Sequence, residues 1–271
     1  MSAPDLLVVV DPAARRIDGE SVRIAKDVLC AGAPGAKVCL PEGREDVARA
    51  LARRGSRQPV VVGDDRALLC AVELLHRDRA LADAALAVVP VGAAGAVALA
   101  HGLGVPLDVV TAARAVLAGV ERRLDLLVDD CDAVVLGGLR IPAARKAPGQ
   151  PGQPGHSGPP GVRGALSRCA SLVRPSWPPS PLLPRLRVEA DGVVLAEPGS
   201  PVAEVSVSTQ TGGAGGGLAD VVVRRAAVGF QKSGSSLVRA RARAVTVSGP
   251  DFHPRTWTVA PSALRLTVPG S

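Results

Sequence analysis

The chain has 271 residues, enough for one large domain or two ordinary ones, and 47% of them are hydrophobic. Two Phe, two Trp and no Tyr leave Val, Leu, Ala and Ile to build the core, and five cysteines, none in Cys-x-x-Cys spacing, point away from a disulfide framework or a cysteine-based zinc site. The formal charge of +7 suits an anionic membrane surface or nucleic acid, but the basic residues are scattered apart from Arg224-Arg225 and Arg239-Ala240-Arg241-Ala242-Arg243, so a solvated basic surface and no nucleic-acid partner are expected.

No basic region precedes the first apolar run, Leu6 to Val10, and no apolar segment is long enough to cross a bilayer. A cytoplasmic location is therefore expected, with peripheral membrane contact left open. Leu6 to Val10 reads as a buried strand, followed by Asp11-Pro12-Ala13-Ala14. Asp18 reads as the N-cap of a helix reaching about Leu29. Lys37 to Leu40 is a second strand and Glu45 to Arg54 a second helix, with Val47, Ala48 and Leu51 on one face. A third apolar run, Pro59 to Val62, leads into Gly63-Asp64-Asp65-Arg66-Ala67. A fourth, Leu86 to Pro90, leads into Val91-Gly92-Ala93-Ala94-Gly95-Ala96. Leu107 to Ala118 is a further helix, and Arg122 to Leu126 a strand that leaves this region.

Short strands alternating with helices predict a parallel sheet covered on both faces, in which ligands bind beyond the carboxyl ends of the strands. Both Gly turns fall at those ends. A strand, a Gly turn and a helix together present backbone N–H groups to a phosphate. Asp129-Asp130-Cys131-Asp132 reads as a solvated hairpin turn rather than a metal cluster, and no metal ligand is assigned.

Between Lys146 and Gly164 a Gly recurs at every third position from Gly149, with Pro at several intervening sites. So few triplets predict a polyproline-like linker rather than a triple helix. Pro175 to Pro184 reads as irregular. From Leu186 the pattern is β: a hairpin around Asp191-Gly192, then Val205 to Ser208, Ala219 to Arg224, one long strand from Leu237 to Ser248, Trp257 to Val259 and Leu264 to Val268. The long strand places Arg239, Arg241 and Arg243 on one face. Gly212 to Gly217 lacks a following Lys-Ser/Thr and reads as a hairpin loop rather than a P-loop. The expected organisation is an α/β fold: a Rossmann-like lobe with a parallel sheet over residues 1–139, a Pro/Gly-rich linker over 140–185 and a β-sandwich lobe over 186–271.

The two turns resemble the nucleotide loops of the diacylglycerol kinase catalytic-domain family, which includes bacterial lipid kinases and sphingosine kinases, with NAD kinases as distant relatives. Gly63-Asp64-Asp65-Arg66-Ala67-Leu68 stands where that family has Gly-Gly-Asp-Gly-Thr and an apolar residue. Pro90-Val91-Gly92-Ala93-Ala94-Gly95-Ala96, leading to Leu103-Gly104-Val105-Pro106, stands where it has Pro-x-Gly-Thr-x-Asn-Asp and Leu-Gly-x-Pro. Arg122-Arg123-Leu124-Asp125 is similar to its Arg-x-Leu/Ile-Asp strand, and Val245 to Phe252 to one of its late strands. Gly63, Asp65, Pro90 and Gly92 match. Asp64 and Arg66 replace glycines, Ala67 and Ala93 replace threonines, and Gly95-Ala96 replaces Asn-Asp. Asp11 takes the place of an Asn that helps hold the nucleotide, where an ionised carboxylate cannot donate a hydrogen bond.

The resemblance implies ATP and Mg²⁺ as the reagents of phosphoryl transfer to the hydroxyl of a lipid such as diacylglycerol. It implies Asp65 as the catalytic carboxylate near Mg²⁺. It also implies Asp11, Gly63, Asp64, Arg66, Ala67, Gly92 and Ala93 as the nucleotide-binding positions. The family's hydroxyl-activating Asp-Gly-Glu turn has no counterpart between Asp251 and Trp257, leaving Asp251 or His253 as substitutes. Two functions follow as expectations: an ATP-dependent lipid kinase of reduced activity, or a catalytically inactive pseudokinase that binds lipid or nucleotide. An NAD-kinase-like enzyme is weaker, because the tail resembles the lipid branch.

Overall fold

Short runs rich in β-branched residues form the strands of the first sheet. In a computed structural model, β1 (Leu6–Val10), β2 (Lys37–Cys39), β3 (Gln58–Gly63) and β4 (Ala87–Pro90) pair in parallel in the order β2-β1-β3-β4. The structure describes residues 5–83, 85–142, 184–199, 201–209, 216–226, 236–250 and 252–270. Nearly all of the expected linker and of the irregular Pro175 to Pro184 stretch therefore lies outside the described residues, as do most of the Gly212 to Gly217 loop and Asp251. No described helix is long and apolar enough to cross a membrane.

All five residues of β1 are buried, as a parallel strand covered on both faces requires. Leu6, Val8, Val10, Val60 and Val62 pack with Val22 and Leu29 of helix α2 (Gly19–Gly32) and with Ala113 and Val116 of α6 (Val109–Ala118). Leu7, Val9 and Val61 alternate with them and are buried too. Helix α1 (Pro12–Ile17) follows β1, α3 (Arg44–Ala52) follows β2, α4 (Asp65–Arg77) follows β3 and α5 (Ala98–Gly102) follows β4. Asp18 caps α2 as expected, its carboxylate accepting the Ser21 N–H at 3.0 Å. The helix expected from Leu107 begins at Val109, because Asp108 is its cap and accepts the Thr111 N–H at 2.7 Å.

The chain divides into two compact units, Met1–Asp125 with Ser262–Ser271, and Leu126–Pro261. In the first unit the tail returns to the free edge of β4: Leu86 bridges Leu266 in parallel, its N–H donates to the Arg265 carbonyl at 2.8 Å and its carbonyl accepts the Thr267 N–H at 2.9 Å.

The second unit is a sandwich of antiparallel sheets. One contains β7 (Gly138–Pro142), β10 (Val202–Thr209), β11 (Ala219–Arg225) and β12 (Leu237–Ala242), in the order β12-β11-β10-β7. The other contains β6 (Val134–Leu136), β8 (Arg187–Ala190), β9 (Val193–Ala196) and β13 (Ala244–Gly249) with β5 (Val120–Asp129) and β14 (Phe252–Val268), in the order β6-β5-β14-β13-β8-β9, and the second unit holds β5 only from Leu126 and β14 only up to Pro261. Val205, Val207, Val221 and Val223 of the first sheet share one core with Val188, Val245, Val247 and Trp257 of the second. The expected α/β fold, a parallel-sheet lobe plus antiparallel sheets, is the fold observed.

Three details differ from the sequence expectations. The single strand expected from Leu237 to Ser248 is two, β12 and β13, in different sheets. Arg243 lies at the break, and there the Asp191 carboxylate accepts the N–H groups of Arg243 at 3.0 Å and Ala244 at 2.8 Å. The strands expected at Trp257 to Val259 and Leu264 to Val268 are one, β14. At the turn after β5, Asp129 is buried rather than solvated: its Oδ1 accepts the N–H groups of Cys131 at 2.9 Å and Ala133 at 2.8 Å, and its Oδ2 lies 3.5 Å from the Arg255 guanidinium.

The expected Asp191-Gly192 hairpin joins β8 to β9, with φ of 48° at Asp191 and 81° at Gly192. Positive φ at both central residues is the type I′ geometry that matches the strand twist. An added Cβ at Gly192 meets nothing within 4 Å, so only the backbone conformation resists substitution. Gly192→Ala should lower stability by about 1 kcal/mol in urea unfolding. Asp191→Ala should lower it by more, since it also removes the acceptors that hold the corner at Arg243 and Ala244.

Candidate functional site

The carboxyl ends of β1 and β3 lie side by side, and the turns that follow them pack closely. A Cβ on Gly63 would stand 2.8 Å from the Asp11 Cβ and 2.9 Å from the Ala67 Cβ, so only glycine fits there. Gly63→Ala should cost roughly 1–3 kcal/mol of stability, read by urea unfolding. Asp11 caps α1: its Oδ2 accepts the Ala14 N–H at 3.0 Å, while its own N–H donates to the Val62 carbonyl at 2.9 Å.

The next two residues are acids with different duties. Asp64 is the N-cap of α4, and its Oδ1 accepts the N–H groups of Arg66 at 3.0 Å and Ala67 at 3.1 Å. Asp65 is turned inward and is 7% exposed. Its Oδ2 accepts the Leu99 N–H at 2.8 Å and its Oδ1 the Ala100 N–H at 3.0 Å. Burial pushes the Asp65 carboxyl above its ordinary value, against the lowering effect of those N–H groups.

The second turn is tied to the first. The Asp65 N–H donates to the Ala96 carbonyl at 2.8 Å, and the Val91 N–H to the Gly63 carbonyl at 2.9 Å. Gly92 and Ala93 are exposed. Gly92 has a φ of 152°, and a Cβ built on it would lie 3.5 Å from the Asp64 Cβ. Asp64 therefore stands between the two turns.

Beside the first turn opens a cavity of about 330 Å³, with Val9 and Val61 among its walls. Asp11, Arg66 and Ala67, all implied by the resemblance, line it. Gly63 packs against its rim through Asp11, and Asp65 is not part of its lining. Arg16, Glu42, Arg44 and Cys70 also line it, and the sequence reading gave none of them a role in the site. They come from α1, from the β2–α3 connection, from the first residue of α3 and from the second turn of α4, none of which carries a motif. Burial pushes the Cys70 thiol up, which keeps it neutral. Asp65 does not present a carboxylate to this cavity for Mg²⁺, since it is not part of the lining and each of its oxygens accepts one buried backbone N–H group. The α4 N–H groups that would cradle phosphate are likewise occupied, by Asp64.

This combination of a parallel α/β sheet with antiparallel sheets is a fold shared with solved structures. The chain is similar to a protein assigned as a diacylglycerol kinase from Bacillus anthracis str. Sterne, with a TM-score of 0.70 and 14% identity over 99% of this chain and 98% of that one. A second structure so described matches equally, and a diacylglycerol kinase structure from the same strain matches with a TM-score of 0.69 and 15% identity, again over 99% and 98% of the two chains. No protein-family model matches the sequence, and no curated protein does.

Proposed function

We propose that this chain is a diacylglycerol-kinase-type protein in which transfer of phosphate from ATP to a lipid hydroxyl is reduced by a self-capped nucleotide cleft. The observation that carries the reading is the Asp64 carboxylate on the N–H groups of Arg66 and Ala67. A helix N-terminus is an anion site because unpaired N–H groups point outward there. Here a fixed anion already occupies them. To admit a phosphate, Asp64 must rotate away, at a cost of about 0.5–2 kcal/mol for the lost cap. Ala67 and Ala93 also lack the hydroxyls that the resemblance implies, each worth about 0.5–1.5 kcal/mol net. Together these effects weaken ATP binding by roughly tenfold to several thousandfold.

Activation of the lipid hydroxyl is weakened too. From Phe252 to Val268 the chain is one strand, which leaves no turn for an Asp-Gly-Glu acid, and His253 is exposed on it. Calorimetry with ATP and Mg²⁺ tests the reading: saturable binding only near millimolar concentration is expected, and micromolar binding would sink it. Under this reading the acceptor is a membrane lipid such as diacylglycerol, met by peripheral contact.

The engagement of both Asp65 oxygens favours a second reading, a catalytically inactive protein that keeps the cleft for binding lipid or nucleotide. Transfer of labelled phosphate to diacylglycerol in mixed micelles separates the two. Slow, enzyme-dependent product supports the reduced kinase, and none above background over hours supports the inactive one.

A further inference from the structure

Ion pairing inside the cavity leaves a specific surplus. Arg44 pairs with Glu73 at 2.9 Å, and Glu42 with Arg15 at 3.3 Å. Asp11 is engaged by the Ala14 N–H. Arg16, at the end of α1, and Arg66, in the first turn of α4, line the same cavity, and neither side chain has a hydrogen-bond or ion-pair partner among the described residues. Two uncommitted guanidinium groups on separate elements, both on exposed residues, supply the positive charge and N–H donors that one phosphate dianion takes.

We propose that the cavity binds a phosphate monoester through Arg16 and Arg66, in preference to a nucleoside triphosphate. The proposal rests on reading this cavity as the cleft of a lipid-kinase fold. Its volume, about 330 Å³, is at the small end for ligand pockets, roughly 300–1,000 Å³. Val9, Val47, Val61 and Pro12 offer apolar contact to a small organic body beyond the phosphate. Further phosphates would need further donors. At the first turn, the backbone N–H groups of Arg66 and Ala67 are already taken by Asp64. The added charge would also meet the carboxylates of Asp11 and Glu42 on the same walls. A single phosphate avoids both penalties.

Phosphate monoesters reach such a cavity from two sources, a phosphorylated lipid head or a nucleoside monophosphate. Calorimetry on the full chain with glycerol 3-phosphate, AMP and ATP–Mg²⁺ distinguishes them. At least one monoester should bind tenfold or more tightly than ATP–Mg²⁺. Glycerol 3-phosphate alone would indicate the lipid head, AMP alone the nucleotide, and both a site that reads the phosphate only. Arg16→Ala and Arg66→Ala should each weaken that binding at least tenfold. Arg66→Lys should retain part of it, and unchanged melting curves should show that the variants fold. Absence of monoester binding at millimolar concentration, or unchanged binding in both Ala variants, would overturn the proposal. Absent monoester binding together with weak ATP leaves the reduced-kinase reading standing. Micromolar ATP–Mg²⁺ binding sinks that reading, and it sinks this one too unless a monoester binds tenfold tighter still.

Discussion

Asp65→Ala should lower the stability of the protein by about 3 kcal/mol, and Asp65→Asn by about half as much. The carboxylate accepts two backbone N–H groups, from Leu99 and Ala100, and all three residues are buried. Hydrogen bonds to a charged acceptor contribute roughly 1.5–3 kcal/mol each, and their loss leaves buried donors unpaired. Asn keeps one acceptor oxygen but turns an NH₂ toward the other donor, so it recovers only part. The ordering wild type, Asn, Ala in urea unfolding is the check. If both variants unfold with the wild-type midpoint, Asp65 is not the clamp that holds the second turn to the first.

The same carboxyl makes a pH prediction with a definite sign. Its folded value is raised above the ordinary 3.8, with burial as the largest cause. Between those two values the folded protein holds more protons than the unfolded chain. This contribution to stability is therefore full below 3.8 and is lost as pH rises through the folded value. Measured against Asp65→Asn, which has no such group, wild type should lose relative stability across that window and then level off.

What was legible in the sequence was local. Val-rich runs between turn residues marked β1, β3 and β4, and the shorter Lys37 to Leu40 run marked β2. Asp18 and the Asp191-Gly192 pair announced a cap and a turn that depend only on near neighbours. What escaped was set at a distance. Period-two alternation continues on both sides of Arg243, so nothing local announces the change of sheet. The corner is held by Asp191, which is 52 residues away in sequence from Arg243. The return of Leu266 to the edge at Leu86 is equally non-local. In the site, Gly63 was legible because close backbone approach demands glycine. Arg16, Glu42 and Arg44 were not, because they converge only where the strands end. The acids at 64 and 65 were visible as acids. Which N–H groups each one takes is decided by the packing of the two turns.

Asp64→Gly should strengthen ATP–Mg²⁺ binding by about tenfold with little loss of stability. Glycine is tolerated at an N-cap, costing only a few tenths of a kcal/mol relative to Asp, so freeing the Arg66 and Ala67 N–H groups does not unravel α4. Removing a carboxylate about 4 Å from a phosphate relieves roughly 1–4 kcal/mol of repulsion, depending on the local dielectric. Asp64→Ser isolates the charge, since Ser still caps the helix but carries none. It should recover much of the gain if repulsion dominates, and little if occupancy of the N–H groups dominates. Adding Arg66→Gly, Ala67→Thr and Ala93→Thr to Asp64→Gly should strengthen ATP binding further, while Arg66→Gly abolishes the binding of glycerol 3-phosphate or AMP. The two ligands should therefore respond in opposite directions to one set of substitutions, which no general loss or gain of folding can imitate. Turnover should stay poor in every variant, because β14 runs without the turn that would present an acid to the lipid hydroxyl. The opposite pattern would overturn this account: the unaltered protein phosphorylates diacylglycerol at about 1–100 per second, as active kinases do, and Asp65→Asn abolishes it without loss of stability. Asp65, which is outside the cavity lining, would then have to reach the nucleotide by a rearrangement of the two turns.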